Sequence, residues 1–127
     1  MADPVKTAFC PRFHRAAELV GRKWTGAIVR ALLNGITRFN DLADAVPGLS
    51  PRLLTARLRE LEAEEIVVRE IAADSPLRVR YGLTYKGRAL AKVVDAITEW
   101  AHDWTEALPG DPADLGHPTH PKKAARR

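Results

Sequence analysis

The stretch that most constrains this chain is Ser50–Glu65, SPRLLTARLRELEAEE. Ser at an N-cap accepts a hydrogen bond from a first-turn backbone N–H. Pro fits the first helical position because the N–H it lacks would be unpaired there. A helix therefore starts at this point. At about 100° per residue, Leu53, Leu54, Leu58 and Leu61 fall in one sector, and Arg52, Thr55, Ala56 and Arg59 fall in the opposite one. One side is a core stripe. The other carries two guanidinium groups about two turns apart, with a hydroxyl and a small side chain between them. Such a face suits a helix laid in a DNA major groove, because Arg forks bind phosphates or guanine edges and nothing bulky holds the helix out. It equally suits the solvated side of an amphipathic helix, and the helix alone favours that plainer explanation.

The rest of the chain supplies context. With 127 residues there is room for one domain and a tail. A net charge of +4 favours an anionic partner. No apolar run reaches the ~18–20 residues that span a bilayer, and MADPVKTAF lacks the apolar stretch of a secretory signal. One cysteine excludes an intramolecular disulfide framework, so a reducing cytoplasm is expected, with no membrane partner.

Residues 1–9 are expected to be loose. Cys10-Pro11 opens a helix running to about Val20, with Phe13, Ala16, Ala17 and Val20 on one side and Gly21 at its end. Trp24, Ala27, Ile28, Ala31 and Leu32 recur at helical spacing, and Asn34-Gly35 closes this second helix. Thr37-Arg38-Phe39 is a short extended link. A third helix is predicted from about Asn40 to Val46, with Phe39, Leu42, Ala43 and Val46 on its buried side, before a turn at Pro47-Gly48. A short helix, a tight turn and a second helix with a basic outer face make a helix-turn-helix.

Beyond Glu65, Ile66–Ile71 is β-branched and strand-like. Asp74-Ser75-Pro76 predicts a turn. Leu77, Val79 and Tyr81 then alternate with Arg78, Arg80 and Gly82, a second strand with one basic face. A hairpin bearing Arg69, Arg78 and Arg80 beside a helix-turn-helix is a wing, suited to the minor groove or flanking phosphates. Lys23 and Arg38 are further candidates for phosphates. Thr84 caps a last helix, about Tyr85 to Ala107, with an apolar stripe of Leu90, Val93, Val94, Ile97, Trp100, Ala101 and Trp104. So short a chain covers only part of that stripe, and two indoles one turn apart point to a partner helix; plain core packing is the competing explanation. From Pro109 the composition turns Pro/Gly-rich and then basic, which predicts a disordered tail over 109–127. Its Lys122, Lys123, Arg126 and Arg127 add non-specific attraction to DNA or simply solubility. His117 and His120 are too few for a metal site, and no cofactor is expected.

These motifs, in this order, resemble the HxlR-type transcriptional regulators, winged-helix relatives of the MarR group. The matching residues are Cys10-Pro11, Gly21-Arg22-Lys23-Trp24-Thr25, Thr37-Arg38-Phe39-Asn40-Asp41-Leu42, Leu49 to Thr55, Arg57 to Glu62, Val79-Arg80-Tyr81, Leu83 to Arg88 and Trp100. The resemblance implies a mainly α fold with a small β-hairpin wing over 10–108, dimerising through its N- and C-terminal helices. Phe13, Leu90, Val94, Ile97, Trp100 and Trp104 would form that interface. It further implies a homodimeric, non-enzymatic DNA-binding regulator, a repressor by expectation, on a pseudo-palindromic operator in double-stranded DNA. Ser50, Pro51, Arg52, Thr55, Ala56 and Arg59 would read the operator. The chain departs from the family at three points. Arg22 follows Gly21 where a second Gly is usual, Glu65 stands where Gly usually follows the recognition helix, and Arg80 replaces the Glu of a common Val-Glu-Tyr. A left-handed backbone at Glu65 would carry roughly 1 kcal/mol of strain.

Many members sense oxidants or electrophiles through an N-terminal cysteine, and Cys10 occupies that position. A helix N-terminus attracts anions, and Arg12 and His14 are near in sequence. Cys10 would pair with the cysteine of a second subunit or be capped by a small thiol or electrophile; an inert, partly buried residue is the competing explanation. Three other functions remain open: a winged-helix protein-interaction module, a regulator answering a small-molecule ligand, and a small enzyme using Cys10 and His14. Arg57 lies nearer the apolar sector of its helix and is expected to pair with a Glu.

Overall fold

Capping side chains followed by proline set the starts of three of the described helices. Our computed structural model describes residues 3–73 and 75–112. Asp74 and the tail from 113 onward, including His117, His120, Lys122, Lys123, Arg126 and Arg127, lie outside the described residues. The chain forms two compact units, Met1–Arg88 and Ala89–Arg127.

In the first unit, Asp3 Oδ1 accepts the Val5 N–H at 3.0 Å and opens α1, Pro4–Thr7. This single exposed turn falls where a loose terminus is expected; its Asp-Pro start supplies both the cap and the preset φ. Cys10 caps α2, Pro11–Gly21, its Sγ accepting the Phe13 N–H at 3.4 Å. Next come α3, Thr25–Leu33, and α4, Phe39–Ala45. The Pro47-Gly48 turn leads to α5, Pro51–Ala63, where Ser50 Oγ accepts the Leu53 N–H at 3.1 Å.

The core lies between α3, α4 and α5. Ile28, Leu42, Leu54, Leu58, Leu61 and Ile66 are fully buried, and each such side chain contributes about 1.5–3 kcal/mol relative to exposure. Leu53 does not join them. It stands one residue step off Leu54 on the wheel and is 37% exposed, at the edge of the stripe rather than within it.

The hairpin pairs β1, Val67–Ala72, antiparallel with β2, Ser75–Leu83. Ser75 and Pro76 belong to β2 rather than to the expected turn. The register shifts between Ile71 and Ala72, so the strand resumes early and Pro76 lies next to an irregularity, where a missing N–H is tolerated. The link before α4 pairs with the hairpin too. Tyr81 N–H donates to the Thr37 carbonyl at 2.8 Å, and Arg38 faces Arg80 across an isolated antiparallel bridge. Helix-turn-helix and hairpin together are a winged helix.

The passage from α5 into β1 is a Schellman turn. Glu65 is left-handed at φ 60, its N–H reaches the Glu62 carbonyl at 3.0 Å, and the Ile66 N–H reaches the Leu61 carbonyl at 2.9 Å. Ile66 is thereby aimed into the core beside Leu61. Its carbonyl accepts the Thr84 N–H at 3.0 Å. Thr84 Oγ1 donates to the Glu65 carbonyl at 2.6 Å and accepts the Gly87 N–H at 3.0 Å. A Cβ on Gly87 would run into the Ile66 carbonyl.

The helix expected over Tyr85 to Ala107 is two helices. Thr84 starts α6, Tyr85–Arg88; α7, Ala91–Trp104, belongs to the second unit and starts anew at Leu90, whose carbonyl accepts from Val93 and Val94. Leu90, Val93 and Val94 keep helical spacing across the break, so apolar periodicity does not register it.

Glycine suits one of these neighbouring positions as a substitute and is required at the other as it stands. Glu65→Gly is expected to raise stability by about 1 kcal/mol by relieving the left-handed strain. Gly87→Ala should lower it by about 2 kcal/mol or more, through a backbone clash with no flexible neighbour to yield. Denaturant titration of both variants checks the opposite signs.

Candidate nucleic-acid interface

Three leucines hold α5 by its inner face, so its opposite face is presented outward. Ser50, Pro51, Arg52, Ala56 and Arg59 are exposed there, and Thr55 is half-buried. The Thr55 hydroxyl donates to the Pro51 carbonyl at 2.9 Å. Its proton is thus committed within the helix, and its lone pairs are left to accept from a partner. Ser50 Oγ accepts the cap hydrogen bond from Leu53, which leaves its O–H to donate to a partner.

The flanks of α5 are held by polar contacts to the chain around α2. Arg57, its side chain only 12% exposed, donates Nε–H to the Lys23 carbonyl at 2.9 Å and lies 3.4 Å from Glu60. Glu60 also meets Arg22 at 3.2 Å, and Glu64 meets Arg15 at 3.4 Å. Arg57 therefore takes the Glu partner expected of it. Its bond to Lys23, and the part played by Arg22, are not signalled by any local pattern.

Trp24 is the other residue that sequence reasoning undervalues. It takes a left-handed conformation at φ 78 as the N-cap of α3. Its ring packs against the turn of the helix-turn-helix, where a Cβ on Gly48 would stand 3.2 Å from the indole. Among the described residues its buried Nε1–H has no hydrogen-bond partner. Lys23 places its ammonium 5.2 Å from the same ring, so this candidate phosphate ligand rests on an aromatic face in the free chain.

The hairpin divides its arginines. Arg80 pairs with Glu70, and Arg69 with Tyr81. Side chains alternate along strands, so Arg78 and Arg80 share one face with Glu70 while Arg69 lies on the other. Arg38, brought beside Arg80 by the isolated bridge, joins the first group. Arg38, Arg69, Arg78 and Arg80 are all exposed.

Cys10 is an exposed free thiol. In the turn that follows it, His14 lies 3.3 Å from Glu18, with its ring 5.2 Å from that of Phe9. Phe13 on α2 is 72% exposed and none of the residues of α2 is buried. Leu90, which precedes α7, and Val94 on it are half-buried, and Ile97, Trp100 and Trp104 are exposed. Among the described residues, no group of His, Cys, Asp and Glu has the arrangement of a metal site, and no helix is long and apolar enough to cross a membrane.

Comparison with known proteins places this geometry among regulators. Residues 19–109 match the family model described as HxlR-like helix-turn-helix. The uncharacterized HTH-type transcriptional regulator YvaP of Bacillus subtilis is 42% identical over 101 residues, covering 80% of this chain and 94% of YvaP. The reduced form of the B. subtilis transcriptional regulator YodB superposes with a TM-score of 0.68 at 36% identity, over 84% of this chain and 99% of that one. The redox regulator HypR in its reduced form gives a TM-score of 0.66 at 37% identity, over 71% and 89%.

The seating of α5 on its flank is open to direct measurement. Arg57→Ala removes a nearly buried guanidinium and leaves the Lys23 carbonyl and Glu60 short of a donor. Stability should fall by about 1.5–3 kcal/mol, as for hydrogen bonds to a charged group, read by denaturant unfolding.

Proposed function

The chain belongs to the HxlR-like helix-turn-helix family, DNA-binding transcriptional regulators, and on that premise we propose that it is a homodimeric, sequence-specific repressor acting in the cytoplasm on a pseudo-palindromic operator. The observation that carries this is the division of α5. Leu54, Leu58 and Leu61 are at most 1% exposed, while Arg52, Ala56 and Arg59 on the other side are open to a partner. In this proposal Arg52 and Arg59 take guanine edges or phosphates, Thr55 accepts from a base amino group, and Ala56 allows close approach. Arg78 and Arg80 serve the wing, Arg69 its other face, and Lys23 and Arg38 the backbone. The exposed Phe13, Ile97, Trp100 and Trp104 support a second copy as the occupant of those helices, since large apolar side chains left open commonly mark an interface.

Cys10 is proposed as the sensor that releases the operator. Its exposure, its place at the cap of α2 and the similarity to HypR support this. One cysteine per chain makes the oxidised product either an intersubunit disulfide or a mixed disulfide with a small thiol. No catalytic role is proposed.

Gel shifts against the DNA upstream of the protein's own gene test both parts. Arg59→Ala should weaken binding by about 1–3 kcal/mol, roughly 5- to 150-fold; unchanged affinity would remove α5 from the groove. The oxidant diamide should release the wild type and leave Cys10→Ser bound, with a non-reducing gel showing whether the product is a crosslinked dimer.

A further inference from the structure

Arg38 and Arg80 meet where the wing joins the helix-turn-helix. The isolated bridge sets them directly opposite each other, one residue before α4 and in the middle of β2. Directly opposed residues of an antiparallel pair have Cβ atoms about 4.5–5.5 Å apart on the same face. Two guanidinium groups are therefore within reach of each other, and both are exposed. Like charges in this position are destabilising. Glu70, across the hairpin from Arg80, is the obvious counter-charge, yet no ion pair or side-chain hydrogen bond joins either guanidinium to any described residue. Arg78, two residues along the same strand face, adds a further positive charge.

Two arginines set opposite each other on one face, each carrying a fork of N–H donors and neither holding a counter-charge, suit a tetrahedral oxoanion. One phosphate has oxygens enough to take a bidentate bond from each guanidinium and cancels the repulsion between them. Resting on the DNA-binding function above, we propose that Arg38 and Arg80 are two halves of one clamp for a single phosphodiester group of the bound duplex. The bridge and the Tyr81-to-Thr37 hydrogen bond beside it join the wing to α4. A phosphate seated there tightens that junction, so the wing is drawn to its working position by the strand it grips.

Counterion release distinguishes a shared phosphate from two separate ones. The plot of log affinity against log salt has a slope of about −0.9 per phosphate neutralised on B-DNA. Arg38→Ala, Arg80→Ala and the double variant are titrated on the operator, with Arg59→Ala alongside. For one shared phosphate in each subunit of the dimer the double variant loses about 1.8 of slope in total, and the remaining guanidinium keeps most of that slope in either single variant. A loss of about 3.6 means two independent contacts in each subunit, and an unchanged slope means none; either result overturns the clamp while leaving α5 as the reader of DNA. Failure of the wild type to bind any duplex would overturn the DNA-binding function itself.

Melting without DNA is the second arm, in sodium sulfate against sodium chloride at equal ionic strength. Sulfate should raise the wild-type melting temperature more than that of Arg80→Gln, which lacks one of the two guanidinium forks and adds no charge opposite Glu70. An equal sulfate increment in both overturns the anion site. A sulfate-specific increment with no change of salt slope on DNA would reassign the pair to a free oxoanion and overturn its assignment to the duplex.

Discussion

Everything the first unit presents outward depends on the turn at Glu65. There α5 ends, and a left-handed residue lets two reversed hydrogen bonds close the helix while Ile66 drops into the core beside Leu61. The Ile66 carbonyl then receives the Thr84 N–H, and Thr84 bonds back to the Glu65 carbonyl and to the Gly87 N–H. Both ends of the hairpin are thus tied within a few ångströms of the last turn of α5. A glutamate in this conformation is strained, and it persists because its neighbours over-determine it. The aim of the wing is set from this node and from the link before α4, which the Tyr81 N–H and the Arg38–Arg80 bridge join to β2.

α5 is held in two different ways, and the difference bears on how the unit works. Its inner face is held by buried leucines, which are non-directional and strong. Its flank toward α2 is held by Arg57, Glu60 and Glu64 reaching Lys23, Arg22 and Arg15. Arg57 is nearly buried and bonds to Lys23 beyond α2, whereas the more exposed Arg15–Glu64 and Arg22–Glu60 pairs are of a kind typically worth about 0–1 kcal/mol, and α2 itself buries none of its residues. The helix capped by Cys10 is therefore attached to α5 through polar ties and the left-handed bend at Trp24, not through a shared apolar core. A proposed sensor at its N-terminus needs to overcome only small energies to shift it.

Much of this was legible in the chain. Ser50-Pro51 and Cys10-Pro11 start helices where a cap followed by Pro must, the Leu54, Leu58 and Leu61 stripe is buried, and Arg57 finds a Glu. The misses share a cause. Leu53 lies one step outside the buried sector, where a wheel cannot say how wide the neighbouring elements are. Leu90, Val93 and Val94 keep their spacing through a break in the helix. Ser75-Pro76 has the composition of a turn, but a register shift carries it into β2.

The sequence by itself determined the helix starts, the buried face of α5, its basic outer face and the membership of a winged-helix family. These are encoded in caps and periodicities that act within one or two turns of chain. Only the tertiary structure decided that Trp24 and Glu65 are left-handed, that Gly87 has no room for a side chain, that Arg69 faces away from Arg78 and Arg80, and that Arg38 meets Arg80. Each of these is set by a partner distant in the chain, through a hydrogen bond, a close approach or a strand register that no local pattern of residue types contains.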